Sequence, residues 1–197
     1  MDLQSDPLFF QRLMKSCGLY AGDLDGSWGP LSEGALVAFK KLSVATANTY
    51  GTFDPRTEAC INTLLPKAQR AARQFMVLAK TFKYQVKILS GTRTYAEQNQ
   101  LFNQRPRVTK APGGSSNHNF GIAFDVGIFD GKKYFEGKTR AEDQAYIDLR
   151  ALQKKSGPAL DWGGDWKSII DRPHYELHTG LSTSQVRAKL EKGLPYV

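Results

Sequence analysis

An aspartate stands in the middle of a strongly apolar run, Ile122-Ala123-Phe124-Asp125-Val126-Gly127-Ile128. Read as a strand, the run turns Ile122, Phe124 and Val126 to one face and Ala123 and Asp125 to the other. A carboxylate in such a setting is costly unless it is ion-paired or bound to a metal. Any fold built on this strand must therefore bring it partners. His118 precedes it in Ser116-Asn117-His118-Asn119-Phe120-Gly121, close enough for a loop-to-strand junction to aim both side chains at one ion. About fifty residues later comes Asp171-Arg172-Pro173-His174. Two imidazoles and two carboxylates are what a catalytic zinc site requires: three ligands, an open position for water and a nearby base.

The spacing suggests His118, Asp125 and His174 as zinc ligands, with Asp171 as the base that takes the proton from attacking water. Pro173 fixes its own φ and biases Arg172 toward an extended backbone, so the approach to His174 is stiff. His174, Glu176 and His178 share one face of a strand, however. His178 as third ligand, or Glu176 as base, fits the pattern equally well.

Charge divides the 197-residue chain. Residues 1–65 hold 5 Lys and Arg against 7 Asp and Glu, whereas residues 66–197 hold 22 against 12. The basic part suits an anionic partner, whether nucleic acid, lipid head groups or a cell-wall polymer. Its cations are scattered in pairs such as Lys132-Lys133 and no nucleic-acid motif accompanies them, so nucleic acid is not expected. No apolar stretch approaches the roughly 18 residues of a membrane span. The opening residues Met1-Asp2-Leu3-Gln4 show no basic-then-apolar signal pattern, so a soluble product is expected, with Cys17 and Cys60 as buried thiols rather than a disulfide.

The acidic part contains a faint repeat. Gly26-Ser27-Trp28-Gly29-Pro30-Leu31-Ser32-Glu33 recurs as Gly51-Thr52-Phe53-Asp54-Pro55-Arg56-Thr57-Glu58, each a turn, an aromatic and a helix opened by proline. Asp6-Pro7 opens an earlier helix with Phe9, Phe10, Leu13, Met14 and Cys17 on one face. Three short helices around a small core are expected. From Pro66 a further helix runs with Ala68 through Phe82 on one face, and residues 84–90 alternate like a strand. Capping boxes begin at Thr94, Thr139 and Ser182. Residues 105–117 have the composition of an exposed loop. The fold class expected is α+β: helices first, then a small antiparallel sheet bearing the polar constellation.

Four separated segments carry a family resemblance. Ser90-Gly91-Thr92-Arg93, the run from Ser116 to Asp125, Gly163-Gly164-Asp165-Trp166, and Asp171-Arg172-Pro173-His174-Tyr175-Glu176 resemble, in order, the zinc D-Ala-D-Ala carboxypeptidase superfamily, peptidase family M15. They are most similar to its bacteriophage endolysins that act as L-alanyl-D-glutamate peptidases. The resemblance implies zinc held by His118, Asp125 and His174, with Asp171 as base. It also implies Arg93 as the group that steadies the oxyanion or orients substrate, and leaves Glu176 and His178 at the periphery. Asp25-Gly26, Gly29, Ser32, Ala35 and Phe39 resemble a peptidoglycan-binding domain, which implies residues 1–65 as wall-binding module and 66–197 as zinc peptidase. The expected product is a monomer made in a host cytoplasm and active on the wall after release. A D,D-carboxypeptidase or D,D-dipeptidase, and a non-catalytic peptidoglycan-binding protein, are the competing expectations.

Overall fold

The computed structural model describes residues 3–106, 108–167 and 169–197. Met1, Asp2, Arg107 and Ser168 lie outside the described residues, and with them part of the opening run expected to lack a signal pattern and of the 105–117 loop.

Four helices come first: α1 (Pro7–Ser16), α2 (Pro30–Tyr50), α3 (Pro55–Ile61) and α4 (Pro66–Ala79). Each has proline in its first turn, where the missing N–H costs nothing. Asp6 and Asp54 cap α1 and α3 by accepting from Phe9 N and Thr57 N. α2 is far longer than the short helix expected, because neither glycine nor proline interrupts residues 35–50. α4 ends at Ala79, so Phe82 packs from beyond the helix.

Five strands follow, interleaved with helices: β1 (Gln85–Ser90), α5 (Tyr95–Asn103), β2 (Ala123–Asp130), β3 (Lys133–Tyr134), α6 (Arg140–Ser156), β4 (Asp161–Trp162), β5 (His174–Glu176) and α7 (Thr183–Glu191). The sheet is antiparallel with order β1-β2-β5-β4, and β3 pairs with β2. The expected α+β arrangement is present. Both Thr94 and Ser182 form full capping boxes. Thr139 makes half of one, because the Glu142 carboxylate is taken by Lys138 N and Lys133.

Phe124, Val126 and Ile128 point from β2 into the larger core, where Phe75 and Tyr175 meet with ring centroids 4.8 Å apart. A second core joins Phe9, Phe10, Leu13, Leu36 and Phe39 to Phe120, Val186, Leu190 and Tyr196. The acidic segment thus shares its core with α7 and the short 3-10 turn Asn117–Phe120, and the change of charge near residue 65 is not a break in packing. α3 also covers β1, the strand at one end of the sheet order: Thr57 Oγ1 accepts from Ile88 N at 3.0 Å, and Thr63 Oγ1 accepts from Thr92 N at 2.9 Å. Such cover satisfies groups that an edge would otherwise expose. Buried Arg73 on α4 clamps α3 through Glu58, with both hydrogen bonds 2.8 Å long, and also donates to Gly51 O.

The Asp25-Gly26 turn is held from within. Gln11, fully buried, donates to Tyr20 Oη, Asp25 Oδ1 and Ser27 O and accepts from Gly26 N. Cys17 and Cys60 are free and only partly buried, a modest correction to the expectation of buried thiols. Burial still pushes Cys17 up to about 11 and raises Cys60, so neither is a ready thiolate at neutral pH. No helix is long and apolar enough to cross a membrane among the described residues.

Candidate metal centre

Strand pairing brings the candidate residues together. Asp125 on β2 lies opposite Ser90 of β1 on one side and His174 of β5 on the other. Gly121, with φ of +66°, ends the 3-10 turn and lets the chain pass from His118 into β2. Arg93 N donates to His118 O, fixing the turn against the end of β1.

Three donor atoms converge. His118 Nε2 lies 3.1 Å from Asp125 Oδ1, His174 Nδ1 lies 3.2 Å from the same oxygen, and the two nitrogens are 3.2 Å apart. The outer nitrogen of each ring is committed elsewhere. His118 Nδ1 is 2.7 Å from Gly91 O, which can only accept, so Nδ1 carries the proton and Nε2 presents its lone pair inward. His174 Nε2 is 2.8 Å from Glu176 Oε2, and by the same reasoning Nδ1 faces the centre. Asn117 Nδ2 donates to that Glu176 oxygen at 2.8 Å and steadies it.

Two lone pairs and a carboxylate oxygen aimed at one point need a cation between them. The geometry fits a metal: both tautomers are set by backbone or carboxylate acceptors, as the outer shell of a metal site sets them. Two nitrogens and one oxygen suit zinc best, though other divalent ions accept them. Among the described residues these three form the one group of this kind.

Protons compete for the same place. Burial disfavours the His174 imidazolium, but hydrogen bonds to Asp125 and Glu176 outweigh it and push the ring up to about 10. Burial would likewise raise Asp125, yet the charges and hydrogen bonds of His118 and His174 hold it well below the usual carboxylate range. Glu176 is lowered despite burial, chiefly by its bond to His174.

Asp171 lies within the field of this centre. Burial and then the Asp125 charge raise its carboxyl, against the opposing influence of His174, His118 and Arg93. It is positioned by backbone: Asp171 N donates to Gly163 O, and Asp171 O accepts from His174 N. A Cβ at Gly163 would collide with Asp171 O and come within 3.0 Å of His174 Cβ, so this glycine allows the two segments to close. The Trp166 ring sits 4.9 Å from the His174 ring, and its residue is 38% exposed.

Arg93 turns toward Asp125. Nη2 donates to Asp125 Oδ2 at 2.7 Å and to Ser90 Oγ, Nε donates to Ser90 Oγ, and Nη1 donates to Gln98 Oε1. The Asp125 carboxylate is thus shared, one oxygen to the centre and one to the guanidinium. His178 lies away from the centre, 69% exposed at its side chain and paired with Asp161. Glu176, by contrast, is part of the site through His174.

The family model described as D-alanyl-D-alanine carboxypeptidase, of the peptidase M15 type, matches residues 109–177. All three converging side chains, Asp171 and Glu176 fall within the M15 match, whereas Arg93 precedes it. Over 100 residues the chain is 34% identical to the peptidoglycan L-alanyl-D-glutamate endopeptidase CwlK of Bacillus subtilis, covering 47% of this chain and 60% of that protein. Over 123 residues it is 26% identical to the L-alanyl-D-glutamate peptidase of Listeria phage A118, covering 62% and 41%. The chain spans less than two thirds of the length of either relative. A solved structure, the L-Ala D-Glu endopeptidase ChiX of Serratia marcescens, aligns with 65% of this chain and 90% of its own at 22% identity and a TM-score of 0.48.

Several supporting residues escaped the sequence reading. Ser90 and Asn117 stand inside the motifs and Gln98 follows one on α5, but their tasks of holding Arg93 and Glu176 depend on how the end of β1, α5 and β5 fold together. The Gly91 carbonyl that orients His118 leaves no side-chain signal at all.

Proposed function

We propose that the chain is a zinc-dependent peptidoglycan peptidase that cuts the amide between L-alanine and D-glutamate in the stem peptide, in the manner of a phage endolysin. The observation that carries the proposal is the convergence of His118 Nε2, Asp125 Oδ1 and His174 Nδ1 with both outer ring nitrogens already bound. The choice of bond is supported by the names of two relatives, each an L-alanyl-D-glutamate peptidase.

His118, Asp125 and His174 would hold the zinc. When bound there, zinc supplies Lewis acidity toward the scissile carbonyl and lowers the pKa of water. Asp171 accepts the proton of the attacking water and returns it to the departing amine of D-glutamate, a role suited to a carboxyl raised by burial. Arg93 fixes the Asp125 carboxylate so that one oxygen stays aimed at the ligand position. Glu176 and Asn117 keep the His174 ring in the ligating tautomer.

Residues 1–65 are assigned to wall binding, on the strength of the Asp25-Gly26 motif that Gln11 holds in shape. The basic remainder favours a wall rich in stem-peptide carboxylates. The second function, D,D-carboxypeptidase, is favoured by the description of the matching family model. Solubilisation of purified sacculi tests the proposal: zinc-loaded protein clears them and chelator-stripped protein does not. Clearing that persists without metal contradicts it.

A further inference from the structure

We propose that a cleft beside the metal centre binds the glycan strand of the substrate, through N-acetylated amino sugars adjoining the stem peptide. The cleft has a volume of about 770 Å³ and runs between α3, the end of β1 and α5. That volume is within the range of about 300–1,000 Å³ common to ligand sites. Ala59 and Thr63 form one wall, and Gln100, Leu101, Asn103 and Gln104 form the other.

Its position ties it to the chemistry. The floor includes Gly91, whose carbonyl orients His118, and Arg93, which binds Asp125. The inference rests on cleavage at L-alanyl-D-glutamate. In peptidoglycan the L-alanine is joined directly to the lactyl group of the muramic sugar, so the sugar lies one residue from that bond. One residue of extended chain spans roughly 3.5 Å, and the sugar must therefore lie close to the metal. A D-Ala-D-Ala bond is at the far end of the stem and makes no such demand.

The lining chemistry selects the sugar over the peptide. Arg93 is ion-paired with Asp125 and spends four of its five N–H groups on Ser90, Gln98 and Asp125, and the Glu97 carboxylate is taken up by the Thr94 cap. Among the described residues that line the cleft, no cation without an acidic partner awaits the carboxylates of the stem peptide. The side-chain amides of Gln100, Asn103 and Gln104 have no partner among the described residues, and they both donate and accept. Hydroxyl and acetamido groups match such amides, while Ala59 and Leu101 offer apolar surface to a sugar face. Because α3 supplies one wall, the acidic N-terminal segment contributes directly to this cleft.

The test compares two substrates with full-length, zinc-loaded protein: a disaccharide-tetrapeptide and the same tetrapeptide without sugar. Replacing two hydrogen-bonding amides, as in Gln100→Ala with Gln104→Ala, should raise KM for the sugar-bearing substrate about tenfold or more. kcat should hold, and kcat/KM for the bare peptide should stay within about twofold. Ala59→Trp, which fills the cleft from an exposed position of α3, should act the same way. Equal losses on both substrates, or none on either, overturn the proposal. A second arm does not depend on which bond is cut: the peptide-free disaccharide should shift the NMR signals of the Gln100, Asn103 and Gln104 amides. Lack of any shift overturns the cleft assignment, whereas a shift with cleavage only at D-Ala-D-Ala refutes the proposed bond instead.

Discussion

Glu176 holds His174 by its outer nitrogen, Oε2 to Nε2 at 2.8 Å, and thereby dedicates Nδ1 to the metal centre. Loss of such an acceptor typically weakens metal binding by about 10–100-fold. Glu176→Ala should fall in that range when zinc affinity is measured by competition with a chromogenic chelator. Asn117→Ala, which removes only the donor to Glu176, should have a smaller effect in the same direction. His178→Ala should leave affinity unchanged, since its ring pairs with Asp161 at the surface.

Asp171 yields a prediction with opposite signs for activity and stability. Its carboxyl is raised in the folded protein by burial and by the Asp125 charge, so the fold binds that proton more tightly than the unfolded chain does. Stability from this group is therefore greatest at low pH and is lost as pH rises from the unfolded pKa through the folded one. At neutral pH Asp171→Asn should raise Tm, while turnover falls by about 10²–10⁴-fold as expected for loss of a general base. A lower Tm in metal-free Asp171→Asn than in the metal-free parent would contradict this account.

Arg93 binds Asp125 through Nη2 while its other nitrogens hold Ser90 and Gln98. A lysine keeps the charge but not the planar set of donors. Arg93→Lys should weaken zinc binding as well as turnover. If turnover alone fell, Arg93 would act on substrate rather than through Asp125.

The Glu58–Arg73 pair joins α3 to α4 beneath the shared cores. Arg73 is fully buried, so Glu58→Ala leaves its charge without its main partner, at a cost of about 3–5 kcal/mol. Chemical denaturation followed separately by near-UV and far-UV signals should show the loss as one shifted transition. Two transitions, with only the first shifted, would mean that residues 1–65 unfold independently.

Local signals and long-range ones were unequally legible in the sequence. Caps at Asp6, Thr94 and Ser182 and the strand around Asp125 follow from short-range pattern, because each is decided within a few residues. His118, Asp125 and His174 were legible too, since an aspartate in an apolar strand demands partners and few residues could supply them. The ambiguity at His178 was real in the pattern; in the fold β5 ends at Glu176 and His178 pairs with Asp161 at the surface. What the sequence could not show was which ring nitrogen faces the centre. That depends on Gly91 O and Glu176 Oε2, contacts made by tertiary folding. Nor could a repeat of turns and helices reveal that α3 covers the edge of β1.

Mass spectrometry of purified peptidoglycan digested by the zinc-loaded protein, beside a chelator-treated control, tests the central claim most directly. The account predicts fragments with new D-glutamate amino termini and L-alanine left on the muramic sugar, in the metal-loaded digest alone. Release of terminal D-alanine with the L-alanyl-D-glutamate bond intact, or the same products in both digests, would contradict it.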